Sequence, residues 1–106
     1  MLKVFMRSQF KKDYKRMLKQ PGCTAAQFQT VLDFLINEKP LPEQYRDHDL
    51  VGNWQGYREC HIRPDWLLIY KIDNDKLVLT LTRTGTHSDL FCPRPSGAFL
   101  LLPRLI

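Results

Sequence analysis

The chain has 106 residues, of which 43% are hydrophobic and 25% charged, and its formal charge is +5. That length holds one domain, the composition is that of a globular protein, and no apolar run is long enough to cross a membrane. The three cysteines, Cys23, Cys60 and Cys92, are odd in number and widely spaced, which argues for reduced thiols and against a disulfide framework or a paired-cysteine zinc site.

Lys3 and Arg7 interrupt a short apolar N-terminus that lacks the shape of a signal peptide, so the chain reads as cytoplasmic. Leu2 to Met6 is expected as a strand. Ser8 is placed to cap a helix whose apolar face is Phe10, Tyr14, Met17 and Leu18, and Pro21-Gly22 ends it. Residues 1–20 hold seven lysines and arginines against Asp13 alone, which concentrates the charge there. A basic helix of this kind is a solvated face or an electrostatic footprint, and it fits nucleic acid or an acidic protein partner.

Thr24 with Gln27 three residues later predicts a capping box. The stripe Phe28, Val31, Leu32, Leu35 and Ile36 predicts the second helix, closed by Asn37 and Pro40. Leu41 to Asn53 reads as a loop. Three strands are expected after it, at Trp54 to Ile62, Trp66 to Ile72 and Lys76 to Arg83, with turns at Arg63-Pro64-Asp65 and Asp73-Asn74-Asp75. The middle strand is apolar on both faces and belongs in a central position. Thr84 to His87 is expected as a turn and Ser88 to Phe91 as one helical turn. The fold class is therefore α+β: an N-terminal strand and a helical hairpin packed on one face of a small, mainly antiparallel sheet, whose other face is left open. Residues 1–91 form the domain, and residues 92–106, broken by Cys92-Pro93-Arg94-Pro95 and then apolar, form a separate tail.

The chemistry-bearing residues lie in the second half. His48 is in the loop before the meander, His61 near the end of its first strand, and His87 in the turn after its last. Asp65 stands across the Arg63-Pro64 turn from His61, where a carboxylate can orient an imidazole and raise its basicity. Arg83-Thr84-Gly85-Thr86-His87 gathers a fixed cation, a permissive glycine, two hydroxyls and an imidazole. Backbone amides near such a glycine bind anions, and Arg83 can grip a phosphate with two nitrogens. Phe91 and Trp66 offer flat faces for stacking a base, although each is also a plausible core residue. The histidine spacing matches no metal motif, and neither a phosphate-binding glycine loop nor a serine-nucleophile motif occurs.

Several stretches together resemble the YafQ branch of the RelE/ParE superfamily of type II toxins. They are Tyr45-Arg46-Asp47-His48 with Leu50 and Gly52, Trp54-Gln55-Gly56-Tyr57-Arg58, His61-Ile62-Arg63-Pro64-Asp65-Trp66, and Arg83-Thr84-Gly85-Thr86-His87 ending at Leu90-Phe91. The likeness covers residues 1–91 in order and is densest from Tyr45 onward. It implies a toxin neutralised by a cognate antitoxin, an endoribonuclease that enters the ribosomal A site and cuts the mRNA being translated, without a cofactor. It implies a catalytic set of His48, His61, Asp65 and His87, with Trp66, Arg83 and Phe91 linked to RNA binding.

The implied reaction is attack of a ribose 2′-hydroxyl on the adjacent phosphorus. A base removes the hydroxyl proton, an acid protonates the departing 5′-oxygen, and a cation steadies the phosphate. DNA lacks the attacking group. His61 supported by Asp65 is the candidate base, His87 the candidate acid, His48 an assistant at the phosphate and Arg83 the cation; base and acid can be exchanged. Two other readings compete. One is a toxin of the same fold that binds a protein target such as DNA gyrase, and the other is a nucleic-acid-binding module without chemistry.

Overall fold

The computed structural model describes residues 1–91. Its elements are Lys3–Met6 (β1), Ser8–Met17 (α1), Ala25–Ile36 (α2), His48–Asp49 (β2), Arg58–Arg63 (β3), Trp66–Asp73 (β4), Val78–Gly85 (β5) and His87–Phe91 (α3). Short 3-10 turns occupy Glu43–Tyr45 and Gly52–Trp54. The five strands form one sheet in the order β1-β5-β4-β3-β2. β1 runs parallel to β5, and the remaining pairs are antiparallel. The expected meander is β3, β4 and β5, the expected N-terminal strand joins it as β1 at one edge, and the two-residue β2 at the other edge is the strand not expected.

Two boundaries differ from the sequence-based expectation for local reasons. The first meander strand begins at Arg58 instead of Trp54, because Gly52–Trp54 winds a 3-10 turn and residues 54–57 then make a tight turn. Helix α1 is capped by Arg7, with Ser8 as its first residue and no side-chain cap. The Arg7 amide donates to the carbonyl of Leu81 at 3.1 Å, which holds Arg7 in extended conformation on the sheet and delays the helix by one residue. Thr84 and Gly85, expected in a turn, extend β5.

The α2 start is as expected. Thr24 Oγ1 accepts from the Gln27 amide at 3.3 Å, while Gln27 Oε1 accepts from the Thr24 amide at 3.0 Å. Two otherwise orphaned amides are satisfied this way. Replacing Thr24 with alanine is expected to lower the unfolding free energy by about 1 kcal/mol, as read from the urea midpoint.

Both helices bury most of their stripes on one face of the sheet, but Leu18, expected on the apolar face of α1, lies just past the helix end and is exposed. Phe10 and Met17 of α1, with Phe28, Val31, Leu32 and Leu35 of α2, pack against Cys60, Ile62, Trp66, Leu68, Tyr70, Leu79 and Leu81. The set Trp66, Leu68, Tyr70 shows the two-residue period of a strand with one face toward helices. Each large side chain buried this way contributes about 1.5–3 kcal/mol. The opposite face is not left open. Leu50, Leu67 and Ile69 are buried too, yet lie outside that cluster. β4 is thus covered on both faces, as its continuous apolar run requires. Cys23 and Cys60 are free thiols. Cys92 and the rest of the expected tail lie outside the described residues, and none of the helices in residues 1–91 is long and apolar enough to cross a membrane.

Candidate active site

His48 owes its place to a clamp on either side of it. Arg58 of β3 reaches across to Asp47, with Nη2 2.8 Å from Oδ2, and also donates to Asp49. Tyr70 of β4 donates its hydroxyl to Asp47 as well. Two strands therefore hold the two-residue strand β2, whose His48 pairs with Glu59 in the register. Arg46 precedes it with φ 48°, a left-handed conformation that non-glycine residues adopt at a cost. That reversal aims the Arg46 carbonyl at His48, whose Nδ1 lies 2.7 Å away.

Glu59 and His61 are two residues apart on β3 and so share a face. Glu59 is almost fully buried and stands between two imidazoles. Its Oε1 is 3.3 Å from His48 Nε2 and 3.6 Å from His61 Nε2. His61 Nδ1 is 3.2 Å from the Pro64 carbonyl. A carbonyl can only accept, so each imidazole carries its neutral-form hydrogen on Nδ1 and presents the lone pair of Nε2 to the same carboxyl oxygen. Facing lone pairs repel, and a proton held among the three groups removes the conflict. His48 Nε2 and Glu59 Oε2 are buried without another hydrogen-bond partner. Burial raises the Glu59 pKa, with His48 opposing it. For His61, burial lowers the pKa; the Pro64 carbonyl opposes this, and the nearby charges of Arg46, His48 and His87 add to the lowering. His61 thus stays an unprotonated base to lower pH than a free imidazole.

His87 is the first residue of α3, exposed at the sheet end. A second capping box fixes it: the Thr86 amide donates to Asp89 Oδ2, and the Asp89 amide to Thr86 Oγ1, both at 3.1 Å. At Gly85, just before Thr86, a Cβ would crowd the Asp89 side chain at 3.1 Å. The other anchor is the fully buried Asp13 of α1. It accepts from Arg83 Nε at 2.6 Å, from the Thr84 amide at 3.2 Å and from Gln9 at 3.0 Å. Arg16 lies 3.4 Å from Asp13 and 3.6 Å from Asp89, joining α1 to α3.

His48, His61 and His87 gather in one region, and three expectations need correction. Asp65 does not support His61. It is exposed in the turn and makes no hydrogen bond to the imidazole; its charge is instead felt at Cys23. The reason is a register shift between His61 and Arg63, which makes the hairpin end asymmetric. Trp66 offers no stacking face. Its ring is fully buried, and Nε1 donates to Thr84 Oγ1 at 2.8 Å, so it supports β5 from within. Arg83, expected to grip a phosphate with two nitrogens, instead turns its Nε and Nη2 to Asp13.

Three residues of the region escape sequence reading. Glu59 hides in Arg58-Glu59-Cys60 as an ordinary strand charge, although its spacing to His61 could have marked it. Arg46 lines a cleft of about 350 Å³ with Gln44, His61 and Pro64, and makes no ion pair among the described residues. Trp54 stands 6.5 Å from Phe91, whose ring is 5.0 Å from that of His87.

Residues 2–92 match the family of bacterial toxins of type II toxin-antitoxin systems called YafQ. The chain belongs to the YafQ family. Among curated YafQ relatives, the mRNA interferase toxin YafQ of Escherichia coli K12 is 55% identical over 62 residues, 58% of this chain and 65% of that protein. The chain thus spans slightly less than two thirds of that relative's length in the alignment. The mRNA interferase toxin YafQ of E. coli B / BL21-DE3 is 46% identical over 84 residues, 78% of this chain and 88% of that protein. Of the solved structures, a metal-bound toxin from Helicobacter pylori is 40% identical with a TM-score of 0.79, covering 86% of this chain and all of the other. The E. coli DinJ-YafQ complex gives 38% identity and a TM-score of 0.75, over 86% of this chain and 99% of the matched one. These likenesses agree with the fold described, an N-terminal strand and two helices on a mostly antiparallel sheet. As for the metal of the H. pylori toxin, no group of three His, Cys, Asp or Glu side chains among the described residues here is arranged to hold an ion.

Proposed function

We propose that this YafQ-family toxin is an endoribonuclease that cuts translated mRNA on the ribosome by proton transfer between side chains, and that a cognate antitoxin restrains it. The observation that carries this reading is the convergence of two imidazole Nε2 atoms on the buried Glu59, with His87 near enough for its charge to act on His61. The names of the curated relatives, mRNA interferase toxins, supply the reaction, and the DinJ-YafQ complex supplies the kind of partner.

His61 acts as base toward the ribose 2′-hydroxyl, because burial keeps it unprotonated and the Glu59 carboxyl beside its Nε2 shares the proton it takes. His87 acts as acid toward the departing 5′-oxygen, because it is exposed and fixed at a capped helix start. Glu59 and His48 hold the displaced proton beside His61. Arg46 flanks the cleft at His61, and Arg83, aligned by Asp13, stands on the His87 side; these two cations steady the phosphate charge. Asp65 shapes the turn whose Pro64 carbonyl orients His61. Trp66 acts from the core.

The test is cleavage of mRNA on translating ribosomes by wild type and His61→Ala over a range of pH. Wild type is expected to lose activity as pH falls, with the acid limb below 6.5, since the His61 pKa is lowered and the protonated form is inactive. His61→Ala is expected to lose at least about 100-fold. A variant as fast as wild type would remove His61 from the mechanism.

A further inference from the structure

The aromatic residues beside His87 extend further than the reaction needs. Phe91 packs against His87, four residues earlier on α3, with ring centroids 5.0 Å apart. Trp54 meets Phe91 edge-on at 6.5 Å and meets Tyr57 edge-on at 5.4 Å. The Lys71 ammonium lies over the Tyr57 ring at 5.4 Å. Trp54, Tyr57 and Phe91 are all half-buried, so each keeps part of its ring in contact with solvent.

The backbone builds this arrangement. The Tyr57 amide donates to the Trp54 carbonyl at 3.0 Å across Gln55-Gly56. Gln55 has φ −57° and ψ 135°, and Gly56 has φ +95°, which are the values of a type II turn. A positive φ at that position favours glycine, and a turn so closed sets its first and fourth side chains next to each other. The Trp54-Gln55-Gly56-Tyr57 stretch is thus shaped to display two rings.

We propose that Trp54, with Tyr57 and Phe91, forms a stacking platform for a nucleobase of single-stranded RNA, with Lys71 set to meet a neighbouring phosphate. The proposal rests on the RNA-cleaving reading of His87. An acid that protonates the departing 5′-oxygen touches the nucleotide on the 3′ side of the cut. The platform begins at the ring packed on that acid, so the base it takes is the downstream one. Stacking tolerates any base, because every base has a π face, and a cation at the platform's end suits the backbone between two bases.

The chain carries its own reporter. It has two tryptophans, and Trp66 is fully buried while Trp54 is partly exposed. The full chain is titrated with a short, unstructured, fully 2′-O-methylated oligoribonucleotide, which cannot be cut, and a fluorescein-labelled copy reports binding by anisotropy. Tryptophan emission is expected to fall saturably along with the rise in anisotropy. In Trp54→Phe, which keeps an aromatic ring and Trp66, binding is expected to persist without that emission change. Trp54→Ala is expected to bind about 5- to 150-fold more weakly. The proposal is overturned if anisotropy saturates with emission unchanged. An emission change that survives in Trp54→Phe, unweakened binding by Trp54→Ala, or no binding of the probe by wild type overturns it too. The two readings separate cleanly: quenching without cleavage of translated mRNA removes the ribonuclease and leaves the platform, and cleavage without quenching does the reverse.

Discussion

In a His87→Ala variant, cleavage of mRNA on translating ribosomes is expected to fall by about 10²- to 10⁴-fold, the size of the loss of a general acid. The fold is expected to remain, with a stability change of about 0.5 kcal/mol or less, because His87 is exposed and the α3 cap is made by Thr86 and Asp89. His87→Gln separates shape from chemistry. Glutamine fills a similar space and can donate a hydrogen bond, yet it cannot release a proton near neutral pH. A loss as deep as that of alanine points to proton transfer, while a substantial recovery by glutamine points to hydrogen bonding alone. Single-turnover rates on stalled ribosomes, measured beside a thermal melt of each variant, decide between them.

Asp13→Ala is expected to damage the fold itself. Asp13 is fully buried and gathers Arg83, Gln9 and the Thr84 amide. Removing the carboxylate leaves a half-buried guanidinium and a buried amide without their acceptor, a loss of about 3–5 kcal/mol. For a domain of this size the melting temperature should drop by more than about 10 °C. Acid carries a signature too. Burial raises the Asp13 pKa, but the hydrogen bonds from Arg83, Gln9 and Thr84 outweigh it and leave it below 3.8. A depressed carboxyl contributes its full stability above the unfolded value and loses it as pH falls through the folded one. The gap between wild type and Asp13→Ala should therefore be constant at neutral pH and shrink below pH 3.8. A gap that is flat across that range would show that the carboxylate charge is not what stabilises the helix-sheet contact.

Local signals carried most of the fold. The Thr24 to Gln27 capping box, the two helical stripes and the Trp66 to Ile72 run each depend on neighbours within a few residues, and each appears where its pattern places it apart from Leu18. The edges depended on distant partners. Nothing in Lys3–Met6 names Val78 and its successors as the strand beside it, and a two-residue strand such as His48–Asp49 has no periodicity to detect. The site was legible as a set of residue types but not as a set of contacts. His48, His61 and His87 were found by their chemistry. Glu59, the common neighbour of His48 and His61, was not, because that depends on β2 lying beside β3. Two turns reversed a choice between like residues. The asymmetric end of β3 takes Asp65 away from His61, and the Gly56 turn makes Trp54 the exposed indole while Trp66 joins the core.

The parallel pairing of β1 with β5 also orders the events of synthesis. A ribosome makes Lys3–Met6 first, yet the strand that receives it begins at Val78, and Asp13 waits seventy positions for Arg83. Until that late stretch emerges, the nascent chain carries a lone strand and a carboxylate whose partners do not yet exist. Pairings so distant in the chain form late and slowly. His87 follows directly after the same stretch, so the chain gains the residue proposed as its acid as its sheet is completed. A truncated product ending before Val78 has neither, which couples the arrival of a finished fold to the arrival of a toxic one.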